Sequence, residues 1–271
     1  MSALPTTASS ELETAFAEGG AEPTVEQVEQ LLAALEAGEV RAASPGDDGQ
    51  WRVHGWVKRG ILAAFRLSET IEIDWPGGSV DKSLVPARRI TAGDGIRLVP
   101  GGTSVRRGAY LAPGVVVMPP SYVNAGAHVG AGSMVDSHVL VGSCAQVGEG
   151  VHLSTAVQLG GVLEPVGARP VVVEDEVFVG AQCGLYEGVV VRRGAVLAPG
   201  VTLTAGTTIY DLVEQRELRG EVPPGAVVVP GTRPARGDYA AVLGLSLYAP
   251  VIVKYRDSST DAATALEESL R

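Results

Sequence analysis

From Val105 onward an aliphatic residue returns every six positions: Val105, Leu111, Val117, Val123, Val129, Val135, Val141, Val147, Leu153 and Leu159. After a slip of two residues around Glu164-Pro165 and Arg169-Pro170, the series resumes as Val173, Val179, Leu185, Val191, Leu197, Leu203 and Ile209. A helix asks for a period of 3.6 and a strand for a period of 2. Six satisfies neither, but it suits a short flat strand followed by a sharp corner. Three such hexads close an 18-residue triangular coil, and stacked coils pair their strands in parallel. Each anchor then lies over the residue eighteen along, so Val105, Val123, Val141 and Leu159 form one interior ladder. Four residues after each anchor comes a second small or β-branched residue, among them Ala109, Val115, Ser121, Ala127, Ser133 and Val139. An antiparallel sandwich with regular turns would not keep phase over ten hexads. The spacing predicts a mainly β chain built on a left-handed parallel β-helix of hexapeptide repeats.

Composition agrees. Aromatics make up only 5% of the 271 residues, with three Phe and three Trp, while glycine numbers 35. Small aliphatic side chains must therefore fill the core, and the absence of a Gly-X-Y period excludes collagen. The two cysteines, Cys144 and Cys183, do not make a disulfide framework, which points to an intracellular setting. The first 25 residues lack a basic n-region and a continuous apolar h-region, and no apolar run approaches 18 residues. A cytoplasmic protein with no membrane partner is expected. A formal charge of −10 argues against nucleic acid. That charge is unevenly spread: residues 1–50 carry −9, residues 51–107 carry +5 and residues 108–271 carry −6. Acidity in a peripheral segment says nothing against an anionic small molecule.

The flanks suggest three regions: an α-rich N-terminal domain at 1–104, the β-helix at 105–232 and a capping segment at 233–271. Residues 1–22 read as polar, and mobile at the start. Thr24 opens a capping box with Gln27 ahead of Val25, Val28, Leu31, Leu32 and Leu35, and Gly38 ends that helix. A second amphipathic stretch runs from His54 to Leu67, and residues 68–104 read as strand and loop. A polar excursion from Asp211 to Glu221 leaves the β-helix before Val222 and Val228 resume the spacing. The tail reads as strand around 239–255 and as a short helix near 261–270, covering the exposed edge of the last coil.

The fold alone does not dictate chemistry. Three classes fit a hexapeptide β-helix: CoA-dependent acyl transfer, zinc-dependent hydration of the γ-carbonic-anhydrase kind, and a structural or filament-forming helix. A hydratase needs three converging histidines. His128 and His152 each precede an anchor but fall on different sides of the coil, and His138 occupies another hexad position, so no metal site is expected and outer-face roles are. Cys144 and Cys183 sit at small-residue positions, where packing rather than nucleophilic catalysis is expected. Acidic residues inside the repeat, Asp136, Glu164 and Glu187, are the remaining chemical candidates.

Several stretches are more specific than the generic hexad. Ser121-Tyr122-Val123-Asn124, Met134-Val135-Asp136, Val141-Gly142-Ser143-Cys144-Ala145-Gln146-Val147-Gly148, Val151-His152-Leu153-Ser154 and Gly160-Gly161-Val162-Leu163-Glu164-Pro165 resemble the tetrahydrodipicolinate N-succinyltransferase family. The resemblance extends to Gly49-Gln50-Trp51, Trp56-Val57-Lys58, Phe65-Arg66, Ile209-Tyr210-Asp211, Val222-Pro223 and Val251-Ile252-Val253-Lys254, covering roughly 45–256. It implies a homotrimer with active sites in clefts between neighbouring β-helices. It also implies succinyl transfer from succinyl-CoA, a co-substrate rather than a resident cofactor, to the 2-amino group of 2-amino-6-oxopimelate, without a metal. By the same resemblance Asp136 is the carboxylate that binds and deprotonates the amine, and Arg97 holds a substrate carboxylate. Gly161 is a candidate substrate contact, and Lys254, with main-chain groups of the later coils, a candidate for holding CoA. One departure stands out in Gly180-Ala181-Gln182-Cys183-Gly184-Leu185-Tyr186-Glu187-Gly188: Gly184 stands where well-known members carry a second functional carboxylate. Glu187 or Glu164 then takes over the amine contact, or Asp136 works alone, or the substrates differ, which keeps an N-acetyltransferase activity open.

Overall fold

The structure is a computed structural model in which residues 7–74 and 78–256 are described. Two-residue strands stack into three parallel sheets that form the faces of a left-handed triangular prism. Face one runs from Arg97–Leu98 through Val116–Val117, Met134–Val135, His152–Leu153, Phe178–Val179 and Val196–Leu197 to Ala226–Pro234. Face two runs from Ser104–Val105 through Tyr122–Val123, Leu140–Val141, Gln158–Leu159 and Gly184–Leu185 to Thr202–Leu203. Face three runs from Tyr110–Leu111 through His128–Val129, Gln146–Val147, Val172–Val173 and Val190–Val191 to Glu221–Val222.

The second residue of each strand points inward and the first outward, so every hexad anchor is buried, Val105 and Leu111 by 97% or more and most others completely. The expected ladder is present: Val105 pairs with Val123, Val123 with Val141 and Val141 with Leu159. Ser121 and Ser133 occupy inward corner positions without leaving a buried hydroxyl unmatched. Ser121 Oγ donates to the Asp136 carbonyl at 2.8 Å and accepts from Val139 N–H, while Ser133 Oγ donates to the Gly148 carbonyl and accepts from Val151 N–H. Each hydroxyl thereby ties one coil to the next.

The slip in phase is an extruded loop. Val147 pairs with Val173 and Leu159 with Leu185, a step of 26 instead of 18, so a whole hexad plus two residues leaves the prism after Leu159. The ladder also starts earlier than the spacing suggests. Arg97–Leu98 pairs with Val116–Val117, and one extra residue around Gly101-Gly102 hides Leu98 from the six-residue register.

Three helices cover part of the prism: α1 (Thr7–Ala15), α2 (Val25–Glu36) and α3 (Gly55–Leu67). α2 has the expected capping box between Thr24 and Gln27. α1 adds a helix to a segment read only as polar, whose first six residues lie outside the described ones: Leu12 on it and Phe16 just after it are at most 6% exposed, packed in one cluster with Leu31, Leu32 and Ile61. Tertiary packing, not helix propensity, orders this short segment. Ala125 and Cys144 join the same cluster and seat the helices on the corner between faces two and three. Lys58, fully buried on α3, donates to the Ala168 carbonyl and so fastens the extruded loop.

After Ile209 the expected excursion is a hairpin, Thr208–Asp211 with Arg216–Arg219. Val222 and Val228 return to the interior. Of the strand expected around 239–255, the second part is present as Ser246–Tyr255, while the first is a short helix, α4 (Asp238–Leu243), bracketed by Gly237 and a left-handed Gly244. That strand lies antiparallel on Ala226–Pro234 and parallel to Thr208–Asp211, covering the top of face one. The helix expected near 261–270 lies outside the described residues.

Candidate active site

Asp136 follows Met134–Val135 at the corner where face one turns into face two. Its backbone N–H bonds the Leu153 carbonyl, its carbonyl accepts from Ser121, and its Oδ1 accepts from Ser137 N–H at 2.7 Å. Both flanking peptide groups are thus fixed, and the half-buried carboxylate keeps a second oxygen for a ligand. Arg97 stands outward on face one, in register with Val116 and, one coil further, Met134. Two steps of about 4.8 Å put it roughly 10 Å along the prism from the Asp136 coil. It is exposed, with no ion-pair partner among the described residues. The structure therefore brings Asp136 and Arg97 to one lip of the prism.

The other expected residues lie elsewhere. Glu187 is exposed at the opposite edge of face two, where the chain turns into face three, with a left-handed φ of 54°. Gly161 is on that same edge one coil below, packed so tightly on Ser143 that a Cβ there would lie 2.9 Å from the Ser143 nitrogen. Glu164 is exposed in the extruded loop. Lys254 sits on the capping strand opposite Val227. From Arg97 to that strand are seven strand steps, roughly 34 Å. Within one chain, Asp136 and Arg97 do not meet Glu187, Gly161 or Lys254.

Along the corner between faces one and two, corner residues and the neighbouring outward residues of face two line a concavity of about 410 Å³ that the hexad anchors gave no reason to single out. Ser121, Tyr122, His138, Leu140 and Gln158 are in its wall. Sequence signal existed only in the residue preceding each anchor, which reads Ser104, Tyr122, Leu140, Gln158, Gly184, Thr202 up this face. Burial raises the Tyr122 hydroxyl above its ordinary pKa. At Gly184 the absent side chain is replaced by a neighbour: a Cβ there would meet the Tyr186 ring at 2.6 Å and its hydroxyl at 2.9 Å.

The histidines do not converge. His128 is on face three, its ring tilted 30° against Tyr110 at 4.6 Å; His152 is on face one, stacked on Phe178 at 5.1 Å; His138 is at a corner with φ 63°. Among the described residues no group of three His, Cys, Asp or Glu is placed to hold a metal ion. His128 is nearer the interior than an outer-face role implies, because the helical domain covers face three. Burial, aided by the Arg41 charge, pushes its pKa down to about 3. Both cysteines are buried, with Cys144 pushed up to about 12 and Cys183 to about 11 by desolvation, so neither forms a thiolate near neutrality.

Residues 9–67 match the family model of the tetrahydrodipicolinate N-succinyltransferase N-terminal region, and residues 170–205 that of the hexapeptide repeat of succinyl-transferase. A 2,3,4,5-tetrahydropyridine-2,6-dicarboxylate N-succinyltransferase of Paramagnetospirillum magneticum is 46% identical over 253 residues, 90% of this chain and 89% of its own. The Bradyrhizobium diazoefficiens protein of that name is 42% identical over 91% of this chain and 89% of its own. The chain belongs to the tetrahydrodipicolinate N-succinyltransferase family. It is therefore an acyltransferase, and the hexad reading of its fold has an independent counterpart. A Campylobacter jejuni crystal structure described as a 2,3,4,5-tetrahydropyridine-2-carboxylate N-succinyltransferase superposes with a TM-score of 0.50 at 19% identity, over 84% of this chain and 63% of that one. In this tetrahydrodipicolinate N-succinyltransferase family member, Met134-Val135-Asp136 stands at one corner of face two, and the Tyr186 ring covers Gly184 toward the other.

Proposed function

We propose that this chain transfers the succinyl group of succinyl-CoA to the 2-amino group of ring-opened 2-amino-6-oxopimelate, in the diaminopimelate route to lysine. The observation that carries this reading is kinship at 42–46% identity over 90% or more of the chain, together with Asp136 and Arg97 on one lip of the prism, Arg97 having no ion-pair partner among the described residues. A thioester is already activated, so the protein has to align two substrates, manage one amine proton and steady an oxyanion. Asp136 receives the ammonium and takes its proton. The freed nitrogen attacks the thioester carbonyl, the C–S bond breaks as the amide forms, and CoA leaves as a thiolate that is protonated to the thiol. Arg97 holds a carboxylate of the acceptor, for which a guanidinium fork is suited.

Separation of the candidate residues supports a site completed by a second copy. Faces one and two present outward Val116, Met134, Phe178 and Leu140 only partly buried, while face three is covered by the chain's own helices. Two different apolar faces on each copy suit a closed threefold ring, a homotrimer with clefts between prisms. Glu187, Gly161 and Lys254 then contribute from the far edge and the cap, Lys254 toward CoA. The setting proposed is cytoplasmic; no described helix is long and apolar enough to cross a membrane.

A second reading, N-acetyl transfer, is favoured by one observation: Gly184 and Tyr186 give face two a different surface from a member with a carboxylate at 184. Incubation with 2-aminopimelate and either succinyl- or acetyl-CoA, with free CoA followed by a thiol reagent, separates them. Release from succinyl-CoA is expected. Release from acetyl-CoA alone overturns the succinyl assignment, and none from any short acyl-CoA overturns the enzyme reading.

A further inference from the structure

Tyr186 is the residue on face two whose position is least explained by packing. Tyr186 follows Leu185 at the corner toward face three, and its ring folds back over two glycines instead of extending into solvent. A Cβ at Gly160 would meet its Cδ1 at 2.7 Å, and one at Gly184 would meet its Cε2 at 2.6 Å and its hydroxyl at 2.9 Å. The ring is thus laid flat on a two-glycine seat, with the hydroxyl placed where a side chain at 184 would begin. It remains 37% exposed, and the hydroxyl has no hydrogen-bond partner among the described residues. Gly184 is next to Gln158 in the outward column, and Gln158 lines the 410 Å³ concavity. Ser121, in the same wall, bonds the carbonyl of Asp136. The hydroxyl therefore lies on face two beyond the Gln158 end of that concavity, on the side of the edge that carries Glu187 and Gly161 and away from the Asp136 corner of its own chain.

We infer that the Tyr186 hydroxyl, seated on Gly160 and Gly184, hydrogen-bonds the polar end of the amino-dicarboxylate acceptor across the cleft between copies and sets how that substrate lies against Asp136 of the adjoining copy. This rests on the acyltransferase reading above. A phenol is suited to that contact because it both donates and accepts, and a ring held on a glycine seat loses little freedom on binding. Gly184 is then required as the seat of that ring, so positions 184 and 186 act as one unit. A side chain at either glycine would lift the ring and carry the hydroxyl away.

Steady-state kinetics on the full-length protein test this, with 2-aminopimelate and succinyl-CoA varied in turn. Tyr186→Phe keeps the ring and its seat; the expected result is a rise of about tenfold in KM for 2-aminopimelate with KM for succinyl-CoA unchanged. Gly184→Ala should reproduce that rise, and the double variant should be no worse than either single one. An unchanged acceptor KM in Tyr186→Phe overturns the inference while leaving the acyltransferase reading intact. Equal changes in both KM values, or a lowered oligomer stability with unchanged kinetics, overturn it too, making Tyr186 a packing residue. A wild-type protein that releases no CoA overturns both readings at once.

Discussion

Asp136 carries the proton in this account, and its removal is the sharpest single-residue test. Asp136→Asn keeps the size of the side chain and an oxygen for the Ser137 N–H. Turnover should fall by about 10²-fold or more, with little change in Tm, because only the proton acceptor is lost. Near-wild-type turnover would remove Asp136 from the mechanism. A stability effect belongs at the corners, most of which take a residue in the left-handed region. Most are glycine, but Ala156 holds φ 61°. A Cβ there costs about 1 kcal/mol. Ala156→Gly should raise Tm by about 2–4 °C in a thermal melt. An unchanged or lowered Tm would show that the corner carries no such strain. Asp136 and Arg97 could be singled out as candidates in the sequence because they sit in motifs that resemble a family. Tyr186 was not: its role depends on where a ring folds, and six-residue spacing says only that position 186 is outside the core.

At the level of elements, the hexad anchors were readable because each is a single inward position repeated under one constraint. Features that interrupt the period were harder to see. The extruded loop read as a slip of two because the remaining six residues match the period and so leave no trace in phase. The first strand, Arg97–Leu98, was hidden by one inserted residue, and α1 by a segment too short and polar to look helical alone. Face three and the helices over it lead to a pH effect. His128 is held neutral to about pH 3, with its Nδ1 unpartnered, whereas an unfolded chain binds that proton near 6.5. Between those values the unfolded state holds more protons. The stability His128 contributes is therefore whole above pH 6.5 and lost as pH falls toward 3, by up to about 1.4 kcal/mol per unit. His128→Phe should flatten the decline of the urea midpoint between pH 6 and pH 4. Parallel declines in the two proteins would contradict this. His54, also shifted down by burial, is common to both and cancels in the difference.

For the whole molecule, the net charge of −10 divides between surfaces with different roles. Much of the basic stretch is bound internally: Arg107 pairs with Glu29 and Glu36 of the acidic N-terminal segment, Arg106 with Asp81, and Arg88 with Asp94. Arg97 is left outward on a bare face. A ring of three 27.9 kDa chains should scatter light as a particle of about 84 kDa, independent of concentration over the micromolar range. A monomer with full activity would contradict a shared site, and open-ended assemblies would favour a structural helix. How copies meet was not legible, because hexad spacing constrains the inside of the prism and leaves its outward faces free. The central claim, succinyl transfer onto an amine, is tested most directly by competition in one vessel. Equimolar succinyl-CoA and acetyl-CoA are offered with limiting 2-aminopimelate, and the products are weighed by mass spectrometry. The account predicts the mono-N-succinyl product in large excess; a dominant N-acetyl product, or unmodified 2-aminopimelate, would contradict it.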